Sequence, residues 1–395
     1  VDSPFEVGPH ETLAFEHDGV PHRIVLAGDN DLDRDVLLED VAAIVAEVAA
    51  VFGHMPFEDY TFILSFVDSG GGGLEHLASS VCMVDRWSVT SSSDKYRGLL
   101  SLVAHEYFHA WNVKRFRPEA LGPFDYDREV YTRDLWVAEG VTSYYDDLCT
   151  LRAGYYPDAK KYLEERANAF RKEAERPASQ RMSMTQSSHD AWIKLYRPDE
   201  NSANSTISYY SKGALVSMLL DLRIRRLTAG RAGLREVLRL GWETYTTRGI
   251  GFPEGAFQQL ASEVAGDDLT TFFDAYVHGT APLAPDDDLR WAGLRLTVKP
   301  KPPGDRRLEQ DADGFSLEPR LGLDTGVPLG TAADFYRLVN GAQDEIVAGP
   351  GERFFYHNAA WRMLGAIIQE KSGVPFHRYI KENVIDPLGM ERTTL

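Results

Sequence analysis

Five residues, His105-Glu106-Tyr107-Phe108-His109, constrain this chain more than any other stretch. The pattern H-E-x-x-H brings two imidazoles to one cation only if the segment is helical. Between Ser93 and Asn112 there is no proline and a single glycine, Gly98. Tyr96, Leu99, Leu100, Val103, Tyr107 and Ala110 recur at offsets 0, 3, 4, 7, 11 and 14, which is one stripe of an α-helix. His105 and His109 then fall on the opposite face, one turn apart, where two imidazoles close on a single Zn²⁺ at roughly 2.0–2.1 Å each. Glu106 lies about 80° round from them at 100° per residue, within reach of a water at the metal without being a ligand. Asn112 returns to the His105 side and is expected to orient a ligand from behind. Leu102, Phe108 and Trp111 occupy the flanks, so the helix is expected inside a domain.

A second helix is expected from about Asp134 to Arg152. Glu139, Thr142, Ser143 and Asp146 form one polar face on it, and Trp136, Val141, Tyr144, Tyr145 and Leu148 the rest. A polar stripe flanked by aromatics needs a polar partner when buried, and a metal supplies one. Glu139 is the expected third ligand, with Glu129, Asp127 and Asp134 as rivals, and Thr142 is expected to join Asn112 behind the ligands. The β-rich Tyr60–Val67 runs into Gly70-Gly71-Gly72-Gly73-Leu74-Glu75. Gly72 and Gly73 let a backbone come close to a bound chain, and an edge strand is a common holder of peptide main chain. Ser208-Tyr209-Tyr210-Ser211-Lys212-Gly213 leads into an apolar helix, Ala214–Leu227, and a tyrosine at such a junction can donate to an oxyanion.

With 42 basic against 60 acidic residues, a net −18, nucleic acid is excluded as an expected partner. Cys82 and Cys149 give neither a disulfide framework nor a thiolate metal site. No run of about eighteen apolar residues is present to span a membrane. The chain is expected to be a soluble globular protein whose termini look truncated, in the cytoplasm or the periplasm, with oligomeric state open. Residues 1–28 read as short strands, Asp33–Phe52 as an amphipathic helix, 157–180 as a charged helix and 183–206 as polar loop. Helical patterns run through Gly233–Tyr245, Pro253–Ala265 and Leu269–His278. From Pro282 to Gly314 the composition turns to linker, around one short strand at Leu294–Val298.

The stretches His105–Arg115 and Leu135–Tyr145 together resemble the glycyl aminopeptidase family of zinc metallopeptidases, and Gly72–His76 and Tyr210–Gly213 are similar to its other marks. The resemblance covers residues 1–300 and rests on four motifs in the family's order. It implies an α+β, mainly α, thermolysin-like (gluzincin) catalytic domain holding one zinc on His105, His109 and Glu139. By similarity to related zinc aminopeptidases, Glu75 would meet the substrate's free α-amino group and Tyr210 would stabilise the tetrahedral intermediate, with Tyr209 the rival. The expected division is a tail of an N-terminal β-domain over 1–28 and the catalytic domain over 29–280. A linker and the start of a PDZ-like region follow over 281–326, with Leu321-Gly322-Leu323 as its mark, and then a separate segment over 327–395.

That last segment is similar to part of a class C β-lactamase or related serine esterase. The likeness rests on Pro350–Ala360, Leu364-Gly365 and Pro387–Met390, with Tyr356-His357-Asn358 as the Tyr-x-Asn element. The one S-x-x-K, Ser92 to Lys95, abuts the zinc helix, and no downstream K/H-T-G strand occurs, so the serine site is incomplete. The segment reads as orphaned by fusion or by an artificial junction. The expected activity is therefore zinc-dependent removal of small N-terminal residues from peptides with a free N-terminus, with Glu106 as general base and Tyr210 as electrophile. A zinc endopeptidase, a truncated inactive zinc domain and a serine acyl hydrolase are the alternatives.

Overall fold

The computed structural model describes residues 3–86, 89, 94–125, 127–297 and 367–387, and the chain divides into two units, Val1–Pro300 and Lys301–Leu395. The first unit is a mixed sheet with helices packed against it. β1 (His10–His17) and β2 (Val20–Ala27) form an antiparallel hairpin closed by Asp18-Gly19. Both turn residues have positive φ, 49° and 79°, which is the geometry a two-residue hairpin requires and Asp-Gly adopts readily. β2 continues parallel to β3 (Tyr60–Val67), pairing His22 with Tyr60, and β3 runs parallel to β5 (Ser79–Asp85). β4 (Gly72–Glu75) closes the order β1-β2-β3-β5-β4 as an antiparallel edge. Residues 10–27, expected to be the tail of a separate domain, are thus the first two strands of the sheet itself. Their alternation was visible in sequence, but the parallel partner lies across a whole helix.

That helix, α1 (Arg34–Phe52), starts where Asp33 accepts hydrogen bonds from the amides of Asp35 and Val36, and stops at Gly53 in the left-handed region. Its buried face, Leu37, Val41, Ile44, Val45, Val48 and Phe52, packs on α2 (Asp94–Phe108). α2 buries Leu99, Leu100, Val103, Tyr107 and Phe108. The expected helix ran to Asn112, whereas the last α-helical residue is Phe108, after which the chain turns tightly to a positive φ of 115° at Val113. The His109 amide still donates to the His105 carbonyl at 3.2 Å, so the second histidine keeps its helical relation to the first.

The expected helix from Asp134 is two conformations in series. A π-helical turn, Trp136–Gly140, feeds α3 (Val141–Arg152), which packs along α2. α4 (Ala159–Glu175) follows. The stretch 183–206, expected as loop, contains α5 (Met184–His189), capped by the Ser183 hydroxyl, and α6 (Ser202–Ser205). The polar composition that suggested loop is satisfied internally, since Ser187 Oγ donates to the Ile207 carbonyl and Ser188 Oγ accepts from the Trp136 amide. α7 (Ser211–Leu227), α8 (Leu234–Thr244), α9 (Ala256–Ala265) and α10 (Thr270–Phe273) complete the helical layer, with a π-helical turn at Asp274–His278. The linker expected from 281 instead opens with α11 (Asp286–Trp291), whose buried Asp288 accepts from Arg223 and Arg226 of α7 at 2.8 and 3.0 Å. No strand forms over 294–297. In the second unit the described residues include a short helix, Phe376–Ile380, and a π-helical turn, Lys381–Ile385. Leu321–Leu323 and Tyr356–Asn358 lie outside the described residues, as does Ser92.

Behind α2 sits an aromatic cluster of Phe57, Tyr60, Phe62, Tyr107 and Trp111 around His22 of β2. His22 is fully buried, its Nδ1 donates to the Val20 carbonyl at 2.9 Å, and its Nε2 therefore accepts from the Tyr107 hydroxyl at 2.9 Å. Burial lowers its pKa to about 4. Above the unfolded value near 6.5 neither state binds this proton. As pH falls from about 6.5 to about 4 only the unfolded chain takes it up, so stability falls with falling pH, on the order of 2–3 kcal/mol over the window. Denaturation midpoints measured from pH 7 to 4 should therefore drop more steeply for the native chain than for His22→Gln, and parallel slopes would exclude the effect.

Candidate metal centre

α2 and the π-helical turn before α3 together bring His105, His109 and Glu139 to one point. Glu139 Oε2 lies 3.2 Å from Nε2 of each histidine, and the two imidazole rings stand nearly perpendicular, 4.6 Å apart. The opposite ring nitrogens are committed elsewhere. His105 Nδ1 donates to Asp146 Oδ2 at 2.8 Å, and His109 Nδ1 to the backbone carbonyl of Asn112 at 2.8 Å. With the imidazoles neutral, both Nε2 lone pairs would face a carboxylate oxygen, an arrangement that calls for a positive charge between them, be it a proton or a cation. Two donors 3.2 Å apart, each roughly 2.0–2.1 Å from one ion, subtend about 100°, close to the tetrahedral angle zinc takes. Two nitrogens and one carboxylate oxygen are also a donor set that leaves a fourth position open.

The electrostatics agree with that reading. Burial disfavours the charged form of His109, yet the Glu139 charge outweighs it and pushes the pKa up to about 9. His105 is likewise raised against its burial, by Asp146 and Glu139. Burial would raise Glu139, but the imidazoles hold it well below the usual carboxylate range. The site thus gathers negative potential at the Nε2 positions, where protons and metal cations compete. Asp146 itself is lifted to about 6 by burial, against the pull of His105.

Glu106 points beside this cluster. It is 4% exposed, its Oε2 finds no hydrogen-bond partner among the described residues, and burial raises its carboxyl to about 7 despite the neighbouring imidazoles. Ligand atoms of Glu75, Glu106 and His109 also lie within 4.8 Å of one another, so β4 brings Glu75 to the same pocket. Side chains alternate along a strand, and Gly73 shares the Glu75 face. A Cβ on Gly73 would collide with the Glu106 carboxylate, whereas one on Gly72 would meet nothing within 4 Å. Of the two glycines expected to approach substrate, Gly73 is fixed by Glu106, and Gly72 by its φ of 109°.

Asn112 and Thr142 meet behind His105, His109 and Glu139. The Asn112 amide donates to Thr142 Oγ1 at 3.1 Å and to the carbonyls of Val137 and Ala138, stitching the end of α2 to the π-helical turn that carries Glu139. The Thr142 hydroxyl donates to the Ala138 carbonyl at 2.6 Å. Glu129, Asp127 and Asp134, the rival ligands, belong to neither cluster of metal-competent side chains. Tyr210 lies with its ring 6.2 Å from that of His105, while Tyr209 is fully buried and turns its hydroxyl toward Tyr196. Burial and the Glu139 charge hold the Tyr210 phenol protonated, well above the usual tyrosine range.

The turn carrying Tyr210 is pinned by a glycine contact. A Cβ on Gly140 would stand 2.6 Å from the Gly213 Cα, and one on Gly213 2.7 Å from the Gly140 Cα. The residue after Glu139 and the helix after Tyr210 therefore touch through bare backbone.

Two contributors escaped the sequence reading. Asp146 appeared there only as one member of a polar stripe, although its offset of seven from Glu139, two helical turns, places both carboxylates on the His105 side. Tyr196 carried no sequence signal, sitting in a segment that reads as loop. Because Asp146 fixes the His105 tautomer, Asp146→Ala should weaken zinc affinity by about 10–100-fold with the fold intact. Competition with a chromogenic chelator would measure this, and unchanged affinity would make Asp146 merely a packing residue.

Comparison with known proteins adds two matches along the chain. Residues 98–216 match the family model described as M61 glycyl aminopeptidase, and residues 300–395 match that of beta-lactamase. Among solved structures, an aminopeptidase N family protein from Idiomarina loihiensis is similar at 32% identity and a TM-score of 0.68, over 72% of this chain and 49% of that one. The M1 zinc metallopeptidase from Deinococcus radiodurans aligns at 18% identity and a TM-score of 0.44, over 71% of this chain and 54% of that one. A variant of it bound to a Tyr-Ser-Ala substrate aligns at 19% and 0.45, over 70% and 54%. The chain spans about half the length of these structures. No curated protein matches it. Among the described residues no helix is long and apolar enough to cross a membrane.

Proposed function

We propose that this chain, whose residues 98–216 match the M61 glycyl aminopeptidase family model, is a zinc-dependent aminopeptidase of thermolysin-like fold, acting on peptides with a free, small N-terminal residue. The observation that carries the reading is the convergence of His105, His109 and Glu139 beside a buried Glu106 whose Oε2 finds no hydrogen-bond partner among the described residues. One zinc per chain, held by those three side chains, would supply a Lewis acid for the scissile carbonyl and lower the pKa of water to about 7.

The chain's own residues do the rest. Glu106, with its carboxyl near neutrality at about 7, accepts the proton of the attacking water and returns it to the leaving amine. Tyr210, held protonated over His105, donates to the oxygen on which negative charge develops. Asp146 and the Asn112 carbonyl keep both imidazoles in the tautomer that presents Nε2. β4 is one of the two edge strands of the sheet, so a substrate main chain pairs there and delivers its ammonium to Glu75. The Gly73 backbone approaches the pocket closely because nothing larger than hydrogen fits against Glu106.

Glu106→Gln should retain zinc and fold but lose turnover by about 10²–10⁴-fold, the usual effect of removing a general base. Full activity in that variant, read on an aminoacyl-anilide panel with zinc content measured in parallel, would reject the mechanism. Glu75→Ala should depress hydrolysis of free-amine peptides far more than of their N-acetylated counterparts. Equal loss on both substrates would point to an endopeptidase in which Glu75 is structural.

A further inference from the structure

Three tyrosine hydroxyls form a chain beside the metal centre, and its middle member comes from a part of the sequence with no recognisable motif. Tyr196 Oη lies 3.0 Å from Tyr210 Oη and accepts from Tyr209 Oη at 3.4 Å. The Tyr209 ring is buried and stacked on that of Tyr210, 4.8 Å away, whereas Tyr196 is 61% exposed. An exposed aromatic whose hydroxyl turns inward onto an active-site phenol needs a reason, since solvent would satisfy it equally well.

The backbone around Tyr196 is built to hold it there. After α5 the chain folds into a tight turn in which Tyr196 N donates to the Ala191 carbonyl at 3.1 Å, while the amides of Ile193 and Lys194 reach the Asp190 carbonyl. The Trp192 indole donates to the Val130 carbonyl at 3.2 Å, and α5 is tied to the Glu139 segment through Ser188 and Trp136. The turn is therefore registered to the same framework that places the metal ligands.

A phenol has one proton to give. When Tyr209 donates to Tyr196, the Tyr196 proton is free for the Tyr210 oxygen. The Tyr210 proton is then left to point into the cleft rather than back into the protein. We propose that Tyr196 is a positioning residue of the active site: it satisfies the Tyr210 oxygen from behind and so orients the Tyr210 O–H toward the reacting carbonyl. A bond accepted by Tyr210 also polarises the one it donates, because hydrogen bonds in a chain strengthen one another. The inference rests on the oxyanion role given to Tyr210 above and extends it to a residue outside the family's motifs.

The test is a double-variant cycle on the zinc-loaded 395-residue chain: Tyr196→Phe, Tyr210→Phe and both together. Turnover of an aminoacyl-anilide, the affinity of a phosphinic dipeptide that imitates the tetrahedral intermediate, and the NMR shift of ring-labelled tyrosine are read for each. Tyr196→Phe should lower kcat by about 3–10-fold at nearly constant KM, the size of one hydrogen bond, and weaken the phosphinic inhibitor by a similar factor. It should also move the Tyr210 resonance, identified by its loss in Tyr210→Phe. In the Tyr210→Phe background the second substitution should cost nothing further. An unmoved Tyr210 resonance, or the same loss of turnover and affinity with and without Tyr210, would overturn the positioning role. Should Tyr210→Phe itself keep full turnover and inhibitor affinity, the oxyanion assignment falls first and takes the positioning role with it. That outcome is separable, because the NMR coupling between the two rings is measured independently.

Discussion

One carboxylate oxygen organises this unit. Glu139 Oε2 is 3.2 Å from two imidazole nitrogens contributed by a different helix, and each imidazole is held from its far side by a second acceptor. Burying three such groups is costly unless each is paired and oriented, so the surrounding structure reads as the means of keeping them so. Asp146 and the Asn112 carbonyl fix the rings, and the Asn112 amide ties the end of α2 to the π-helical turn that presents Glu139. The aromatic wall of Phe57, Tyr60, Tyr107 and Trp111, propped by neutral His22, backs the helix against the sheet.

Distances in the cleft are set as much by missing atoms as by present ones. Gly73 clears the Glu106 carboxylate, and Gly140 against Gly213 lets the Glu139 and Tyr210 segments meet backbone to backbone. Glu106, Glu139 and Tyr210 thus stand on three chain segments far apart in sequence. Each is brought in through a glycine whose neighbour is one of them. At Gly140 and Gly213 this packing leaves little room for adjustment, since a single added methyl there meets main chain, whereas at Gly73 it meets the Glu106 side chain.

The helix carrying His105 and the Asp33–Phe52 helix were legible from their apolar period, and the Tyr60–Val67 strand from its β-rich composition and its length before a run of glycines. His105, His109 and Glu106 follow from i, i+4 geometry on such a helix. Glu139 needed the polar stripe on its own helix, and family resemblance chose it over Glu129, Asp127 and Asp134. What was not legible depends on contacts between distant segments. The parallel pairing of β2 with β3 is decided across α1, so residues 10–27 read as a fragment of something else. The end of α2 at Phe108 is set by the turn that aims the Asn112 carbonyl at His109, which no propensity records. The polar residues of 183–206 suggested loop because their partners, Ile207 and Trp136, are supplied only by the fold, and Tyr196 went unnoticed for the same reason.

The bare-backbone contact of Gly140 with Gly213 also bears on how such a protein can be recombined. Exchanging residues 135–152 for a segment with any side chain at position 140 would drive a Cβ into the Gly213 main chain, with no smaller residue available there to relieve it. A donor segment on either side of the contact is therefore usable only if it carries glycine at that position. Neither position is free to drift, and a side chain gained at one cannot be relieved by any change at the other.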